Sequence, residues 1–258
     1  MELLKVHNLK KTFPKTKVTA VDGVDFSIFK GEVLGLVGES GCGKSTLARS
    51  ILRLTDVQEG SVFYKEEDLL KMPQGKMREI RKSLQVIFQD PYMSLDPRMR
   101  IGSIIEEVLL IHSDISKIER KNKIIELLEM VGLGESYIQR LPRELSGGER
   151  QRIGIARSLA TGPEFIICDE PISSLDISIQ AQILNLLLDL KKKNNLTYLF
   201  ISHDLGVIAS ICDRVIVMQS GRFVETGSCE EIFKASKHEY TRQLLKSTLI
   251  CNYNSIIV

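Results

Sequence analysis

Short apolar runs bounded by turn residues alternate along this chain with longer stretches of helical period, the pattern of a largely parallel sheet covered by helices. Residues 33–37 (Val-Leu-Gly-Leu-Val), 84–88, 165–168, 198–201 and 215–218 are apolar throughout or nearly so and predict buried strands. Residues 3–9 and 18–29 read differently. There apolar and polar positions partly alternate, with Val24, Phe26 and Ile28 on one face, as in a half-solvated antiparallel strand. A mixed sheet is therefore expected.

From Asp96 to Leu145 the period becomes helical. Ile101, Ile104, Ile105, Val108 and Leu109 fall at i, i+3, i+4, i+7 and i+8, and Ile124, Leu127, Leu128 and Val131 repeat the stripe. This predicts a helical insert. A further amphipathic helix carries Ile179, Ile183, Leu186, Leu187 and Leu190 and ends in Lys191-Lys192-Lys193-Asn194-Asn195, where cations complement the negative end of the helix dipole. No internal repeat, low-complexity tract or long linker divides the chain.

With 258 residues the chain can bury a substantial core without a disulfide or metal staple. Thirty-five basic against 33 acidic residues leave a formal charge of +2, which argues against a protein that coats nucleic acid or an anionic membrane surface. No apolar run reaches the roughly 18 residues that span a bilayer. The start, Met1 to His7, lacks the basic and apolar regions of a secretory signal, so a cytosolic chain is expected. Cys42, Cys168, Cys212, Cys229 and Cys251 are scattered without C-x-x-C spacing, which predicts small buried thiols in place of disulfides or zinc ligands.

The sharpest local chemistry is Gly38-Glu39-Ser40-Gly41-Cys42-Gly43-Lys44-Ser45-Thr46, which fits G-x-x-x-x-G-K-[ST] between a buried strand and a helix expected over residues 46–54. Gly38, Gly41 and Gly43 let the backbone turn tightly so that successive N–H groups face a phosphate, helped by the positive end of the helix. Lys44 then reaches the β- and γ-phosphates, and the Ser45 hydroxyl is placed for Mg²⁺. Such a loop needs a metal-holding acid at the end of a neighbouring strand. Residues 165–168 are followed at once by Asp169, the expected Mg²⁺ partner, and Glu170, left to polarise an attacking water.

Leu145-Ser146-Gly147-Gly148-Glu149-Arg150-Gln151 resembles the signature motif of ABC-type ATPases, and the family's other pieces follow in order. Gln89 is similar to its Q-loop glutamine, Ser174-Leu175-Asp176 to its D-loop, and His203 to its switch histidine. Phe13 falls where the family commonly stacks a tyrosine on adenine. The resemblance implies a single cassette over residues 1–245, with a P-loop NTPase (RecA-like) core of mixed sheet at 1–95 and 155–235. It further implies an N-terminal antiparallel β subdomain, an inserted helical subdomain at 96–154 and a short tail at 246–258. It implies ATP and Mg²⁺ as ligands, the metal held by Ser45, Gln89 and Asp169, with Glu170, His203 and Lys44 as the catalytic set. Ser146, Gly147, Gly148, Glu149 and Asp176 would act across a head-to-tail dimer on the ATP held by a second cassette, identical or paralogous.

Longer stretches resemble the ATPases of peptide and nickel importers within this family: residues 89–98 (Gln-Asp-Pro-Tyr-Met-Ser-Leu-Asp-Pro-Arg), 171–182 and 202–207. His238-Glu239-Tyr240-Thr241 is similar to that branch's His-Pro-Tyr-Thr segment, with Glu239 in place of proline. The stop 13 residues after Leu245, with only Cys251 in the tail, speaks against an iron–sulfur site and leans toward nickel or metal-chelate types. The implied partners are polytopic membrane subunits and, indirectly, an extracytoplasmic binding protein, with no nucleic acid. The implied place is peripheral, at the cytoplasmic face of the cell membrane. The competing reading is an ABC-type ATPase acting on DNA or ribosomes. Against it, only about 100 residues with two short helical stripes separate phosphate loop and signature, too few for a long coiled coil, and the chain holds one cassette.

Overall fold

The computed structural model describes residues 1–90 and 95–252. Pro91, Tyr92, Met93 and Ser94 of the importer-like stretch, the Cys251 side chain and tail residues 253–258 lie outside what is described. In chain order the elements begin with β1 (Glu2–Phe13), β2 (Val18–Phe29), β3 (Val33–Val37), α1 (Lys44–Ile51), β4 (Glu59–Tyr64), β5 (Glu67–Asp68) and α2 (Gln74–Ser83). Next come β6 (Leu84–Ile87), α3 (Ile101–His112), α4 (Lys117–Met130), two short tight turns of helix, α5 (Gly147–Leu159), β7 (Phe165–Asp169) and α6 (Ile177–Asn194). The chain closes with β8 (Thr197–Ser202), α7 (Leu205–Ile211), β9 (Arg214–Gln219), β10 (Arg222–Ser228), α8 (Cys229–Ala235) and α9 (Glu239–Asn252). Two compact units result, Met1–Met77 with Thr197 onward, and Arg78–Leu196.

In the first unit β2, β1, β4 and β5 form an antiparallel sheet in that order. Val6 faces Phe26 on one side and Val62 on the other, and all three are buried while their neighbours Lys5, Asp25 and Ser61 lie further out. This is the half-solvated alternation expected of the N-terminal segments, and β1 carries it to Phe13, beyond the predicted residue 9. The same unit holds strands in the order β10-β9-β3-β8. β3 runs parallel to both β8 and β9, whereas β10 returns antiparallel to β9 through Ser220 and Gly221, both at positive φ, as a two-residue hairpin demands. Every residue of β3 and β8 is buried, each large aliphatic side chain there contributing about 1.5–3 kcal/mol. The sheet content is mixed, as expected.

The second unit pairs β6 with β7 in parallel and adds helices α3, α4, α5 and α6. The predicted stripes are the buried faces. Ile101, Ile104, Ile105 and Leu109 of α3 and Ile124, Leu127 and Leu128 of α4 are all covered. Ile183, Leu187 and Leu190 line the inner side of α6, which ends in its three lysines with Asn195 in the left-handed region at φ 52°. Cys42, Cys168, Cys212 and Cys229 are free thiols, and burial pushes that of Cys229 up to about 11. Among the described residues no helix is long and apolar enough to cross a membrane.

Candidate functional site

In the first unit the chain leaves β3 at Val37, turns through residues 38–43 and enters α1 at Lys44, two residues earlier than predicted. Gly43 caps α1 at φ 116°, and a Cβ there would stand 2.0 Å from the Ala20 carbonyl oxygen, so no other residue fits. The Cys42 carbonyl accepts the Gly221 N–H at 2.9 Å, and the Cys42 N–H donates to the Glu39 carbonyl at 3.2 Å, closing the turn. Ser40 and Gly41 form the exposed tip, and Ser45 and Thr46 are half-buried in the first turn of α1. No side chain caps this helix start, and backbone amides gathered at a positive helix end are the arrangement that holds a phosphate group.

Lys44 is only 4% exposed. Its ammonium donates to the Gly38 carbonyl at 2.7 Å and the Glu39 carbonyl at 3.0 Å, and lies 3.9 Å from the Cys42 sulfur. Burial pushes the Cys42 thiol up, against the pull of Lys44, so it stays a neutral wall of the loop. Phe13 ends β1 opposite Val18, two residues from the Ala20 that abuts Gly43. The residue is 39% exposed, and the Lys11 ammonium lies 5.0 Å from its ring centroid.

The parallel register brings His203 to the same end of the sheet. Val37 of β3 is opposite Ser202 of β8, so Gly38 and His203 are the next residues out of adjacent strands, roughly 5 Å apart in strand spacing. The turn around His203 is pinned. Ser202 Oγ accepts the Asp204 N–H at 2.9 Å, and Asp204 caps α7 by accepting the Gly206 N–H at 2.7 Å.

In the second unit Asp169 closes β7, 4% exposed, and Glu170 follows in the left-handed region at φ 49°. That conformation costs a non-glycine residue on the order of 1 kcal/mol. It is held by Ser173, whose N–H and hydroxyl both donate to the Glu170 carbonyl, at 3.3 and 3.2 Å. Ile87 of β6 is opposite Cys168 of β7, so Gln89 and Glu170 are each two residues beyond a register pair, and Gln89 Nε2 donates to Glu170 Oε2 at 3.1 Å.

Ser146 caps α5 in a reciprocal box. Its hydroxyl accepts the Glu149 N–H at 3.3 Å, while Glu149 Oε2 accepts the Ser146 N–H at 2.7 Å. Glu149 Oε1 accepts the Tyr137 hydroxyl at 2.5 Å. That hydroxyl first, and the Ser146 N–H next, hold the Glu149 carboxyl below its ordinary range. Gly148 lies against α6, where a Cβ would stand 2.6 Å from Ile179 Cγ2, so the Ile179 side chain packs on α5 at a position that carries none of its own. Asp176 is the exposed cap residue of α6, behind a loop that Gln180 ties down through the carbonyls of Ile172 and Leu175 at 3.2 and 3.0 Å. Tyr137 and the loop walls at Ala20 and Gly221 carry no local motif and were not among the expected site residues.

A group with a depressed carboxyl pKa in the folded chain stabilises the fold above its unfolded value and loses that contribution as pH falls through the folded value. For Glu149 the loss falls below its ordinary value of 4.5. Glu149→Gln is therefore predicted to be less stable than wild type at neutral pH and to show a shallower stability loss as pH falls below 4.5, read as denaturation midpoint against pH.

The model of the family described as ABC transporter matches residues 21–173. The chain belongs to the ABC transporter family. It is one of that family's ATPase cassettes. The oligopeptide transport ATP-binding protein OppF of Bacillus subtilis is 50% identical over 250 residues, covering 95% of this chain and 82% of that one. The dipeptide transport ATP-binding protein DppF of Escherichia coli is 44% identical over 254 residues, covering 95% and 76%. Among solved structures, an ATP-binding cassette captured as a dimer in a post-hydrolysis state with ADP and Pi matches with TM-score 0.79 and 28% identity, over 88% of this chain and 99% of that one. The structure of cbiO1 from Clostridium perfringens, part of the ABC transporter complex cbiONQ, matches with TM-score 0.81 and 26% identity, over 91% of each.

Proposed function

We propose that this cassette is the ATP-hydrolysing subunit of a peptide importer. The observation that carries the substrate class is the 50% identity over 95% of the chain to an oligopeptide transport ATP-binding protein, with dipeptide transport proteins at 44% beside it. The lean toward nickel, drawn from chain length, gives way to these relatives, and so does the reading as an ATPase acting on nucleic acid or ribosomes.

Phosphate binding falls to the loop at Gly38–Thr46, with Gly38, Ser40, Gly41, Cys42 and Gly43 lending backbone and Lys44 lending charge. Phe13 supplies an aromatic face for adenine, beside a lysine. Ser45, Gln89 and Asp169 offer hydroxyl, amide and carboxylate oxygens, a hard donor set that suits Mg²⁺. Gln89 uses its amide nitrogen on Glu170 and keeps its carbonyl oxygen for a metal. The ion, when bound, neutralises charge on the β- and γ-phosphates. Glu170 accepts the proton of an attacking water and His203 donates a hydrogen bond toward the γ-phosphate.

The signature end of α5 is a second anion-binding helix start, with Ser146, Gly147 and Gly148 at its tip. One cassette needs one phosphate loop, so this second site serves the nucleotide of another cassette in a head-to-tail dimer, with Glu149 and Asp176 at the joint. The dimer works at the cytoplasmic face of the membrane on separate polytopic subunits, which receive substrate from an extracytoplasmic binding protein.

The test is reconstitution of the full chain with its membrane subunits in proteoliposomes. Peptide-loaded binding protein is expected to raise ATP hydrolysis several-fold. Stimulation by a nickel-loaded binding protein and not by the peptide-loaded one would overturn the substrate assignment.

A further inference from the structure

The His238-Glu239-Tyr240-Thr241 segment has no part in the chemistry described so far, yet the structure ties it to the phosphate loop. Glu225 on β10 accepts the N–H groups of Lys237 and His238 at 2.7 and 3.2 Å, one on each carboxylate oxygen. His238 Nδ1 accepts the Tyr240 N–H at 3.2 Å, and the His238 carbonyl accepts the Arg242 N–H at 3.2 Å, which starts α9. Tyr240 is thereby driven inward, 6% exposed, and its hydroxyl oxygen accepts the Glu39 N–H at 3.1 Å across 201 residues of sequence. Burial pushes this hydroxyl up, so it stays neutral through the working range.

The Glu39 N–H belongs to the peptide group whose oxygen is the Gly38 carbonyl, and that oxygen holds the Lys44 ammonium at 2.7 Å. A peptide group is planar and trans, with its N–H and C=O directed oppositely. Fixing the N–H outward therefore aims the carbonyl inward at Lys44. The other outer tie, the Gly221 N–H to the Cys42 carbonyl at 2.9 Å, holds the far side of the same loop.

We infer that Tyr240 is a positioning residue for the nucleotide site: its hydroxyl sets the Gly38–Glu39 peptide, and through it the place of Lys44 and the curvature of the phosphate loop. The inference rests on the ATPase reading above and deepens it. Nothing passes from Tyr240 to the nucleotide directly.

Tyr240→Phe removes the oxygen and keeps the ring, so the fold should survive. Loss of one hydrogen bond to a part-buried amide that preorganises the loop is expected to weaken Mg-ATP and Mg-ADP binding to the full chain about five- to tenfold. KM should rise by that factor, kcat should stay within about twofold, and the thermal midpoint should scarcely move. Glu225→Gln, which loosens the start of α9 without touching the loop, should weaken binding in the same direction by less. Wild-type chain binding Mg-ATP, with Lys44→Ala losing it, is the control that tests the ATPase reading by itself. Given that control, unchanged nucleotide affinity in Tyr240→Phe overturns the inference. So does a drop in thermal midpoint with no change in affinity, or an effect seen only with Glu225→Gln.

Discussion

Lys44→Ala is expected to lower Mg-ATP hydrolysis by roughly two to three orders of magnitude, on the order of 3–4 kcal/mol of transition-state stabilisation, and to abolish nucleotide binding in the micromolar range. The expectation follows from how the ammonium is held. It is almost wholly buried, and the groups nearest to it are carbonyls of its own loop, Gly38 and Glu39. A cation kept in place by neutral acceptors interacts strongly with a phosphate oxygen because little water screens it. Alanine removes that charge and leaves two carbonyls without their donor. Arginine should not restore function, since its wide planar group does not fit where a compact ammonium is enclosed between two carbonyls and a thiol. Isothermal titration with Mg-ATP and phosphate release at saturating nucleotide would check both arms. Normal binding and turnover in Lys44→Ala would remove the phosphate-loop assignment.

The parts of the molecule that could be read from the chain are those whose physics is local. β3, β7, β8 and β9 announce themselves because the middle of a strand buried on both faces reads as a near-continuous apolar run, with polar residues only at the ends, such as Asp169, Ser202 and Arg214. The stripes of α3 and α4 are visible because their inner faces recur at helical spacing. β10 escapes for the opposite reason. It lies at the outer end of its strand order, none of its residues is buried, and Arg222, Glu225 and Thr226 break any apolar run. α2 buries Met77 alone and so shows no stripe. α7 and α8 are seven residues each, too short for a period to emerge.

The site divides in the same way. The proposed phosphate-loop and signature residues sit next to one another in sequence, as consecutive backbone amides at a helix start must, and such motifs are legible. The interactions that orient them are not. Gln89 reaches Glu170 over 81 residues, Tyr240 reaches Glu39 over 201, and Tyr137 reaches Glu149 from a separate turn of helix. The positive φ of Glu170 is likewise invisible, since nothing in a glutamate predicts the left-handed region.

Glu170→Gln is expected to lower kcat by roughly two to four orders of magnitude while leaving Mg-ATP affinity near that of wild type. The substitution keeps size and shape, and its amide oxygen still accepts the Gln89 Nε2 hydrogen that Glu170 takes at 3.1 Å. The strained backbone also stays supported, because Ser173 binds the main-chain carbonyl and not the side chain. What disappears is the capacity to take a proton from water. If two cassettes close over ATP and reopen on hydrolysis, a variant that binds and does not cleave accumulates in the closed form. Size exclusion with Mg-ATP should therefore shift Glu170→Gln from monomer to dimer, whereas wild type returns to monomer as ATP is consumed. Lys44→Ala should remain monomeric throughout, because it binds no nucleotide to close upon. Wild-type turnover in Glu170→Gln would show that another group activates the water, and Asp169, which precedes it on the buried end of β7, would then have to be reassigned as well.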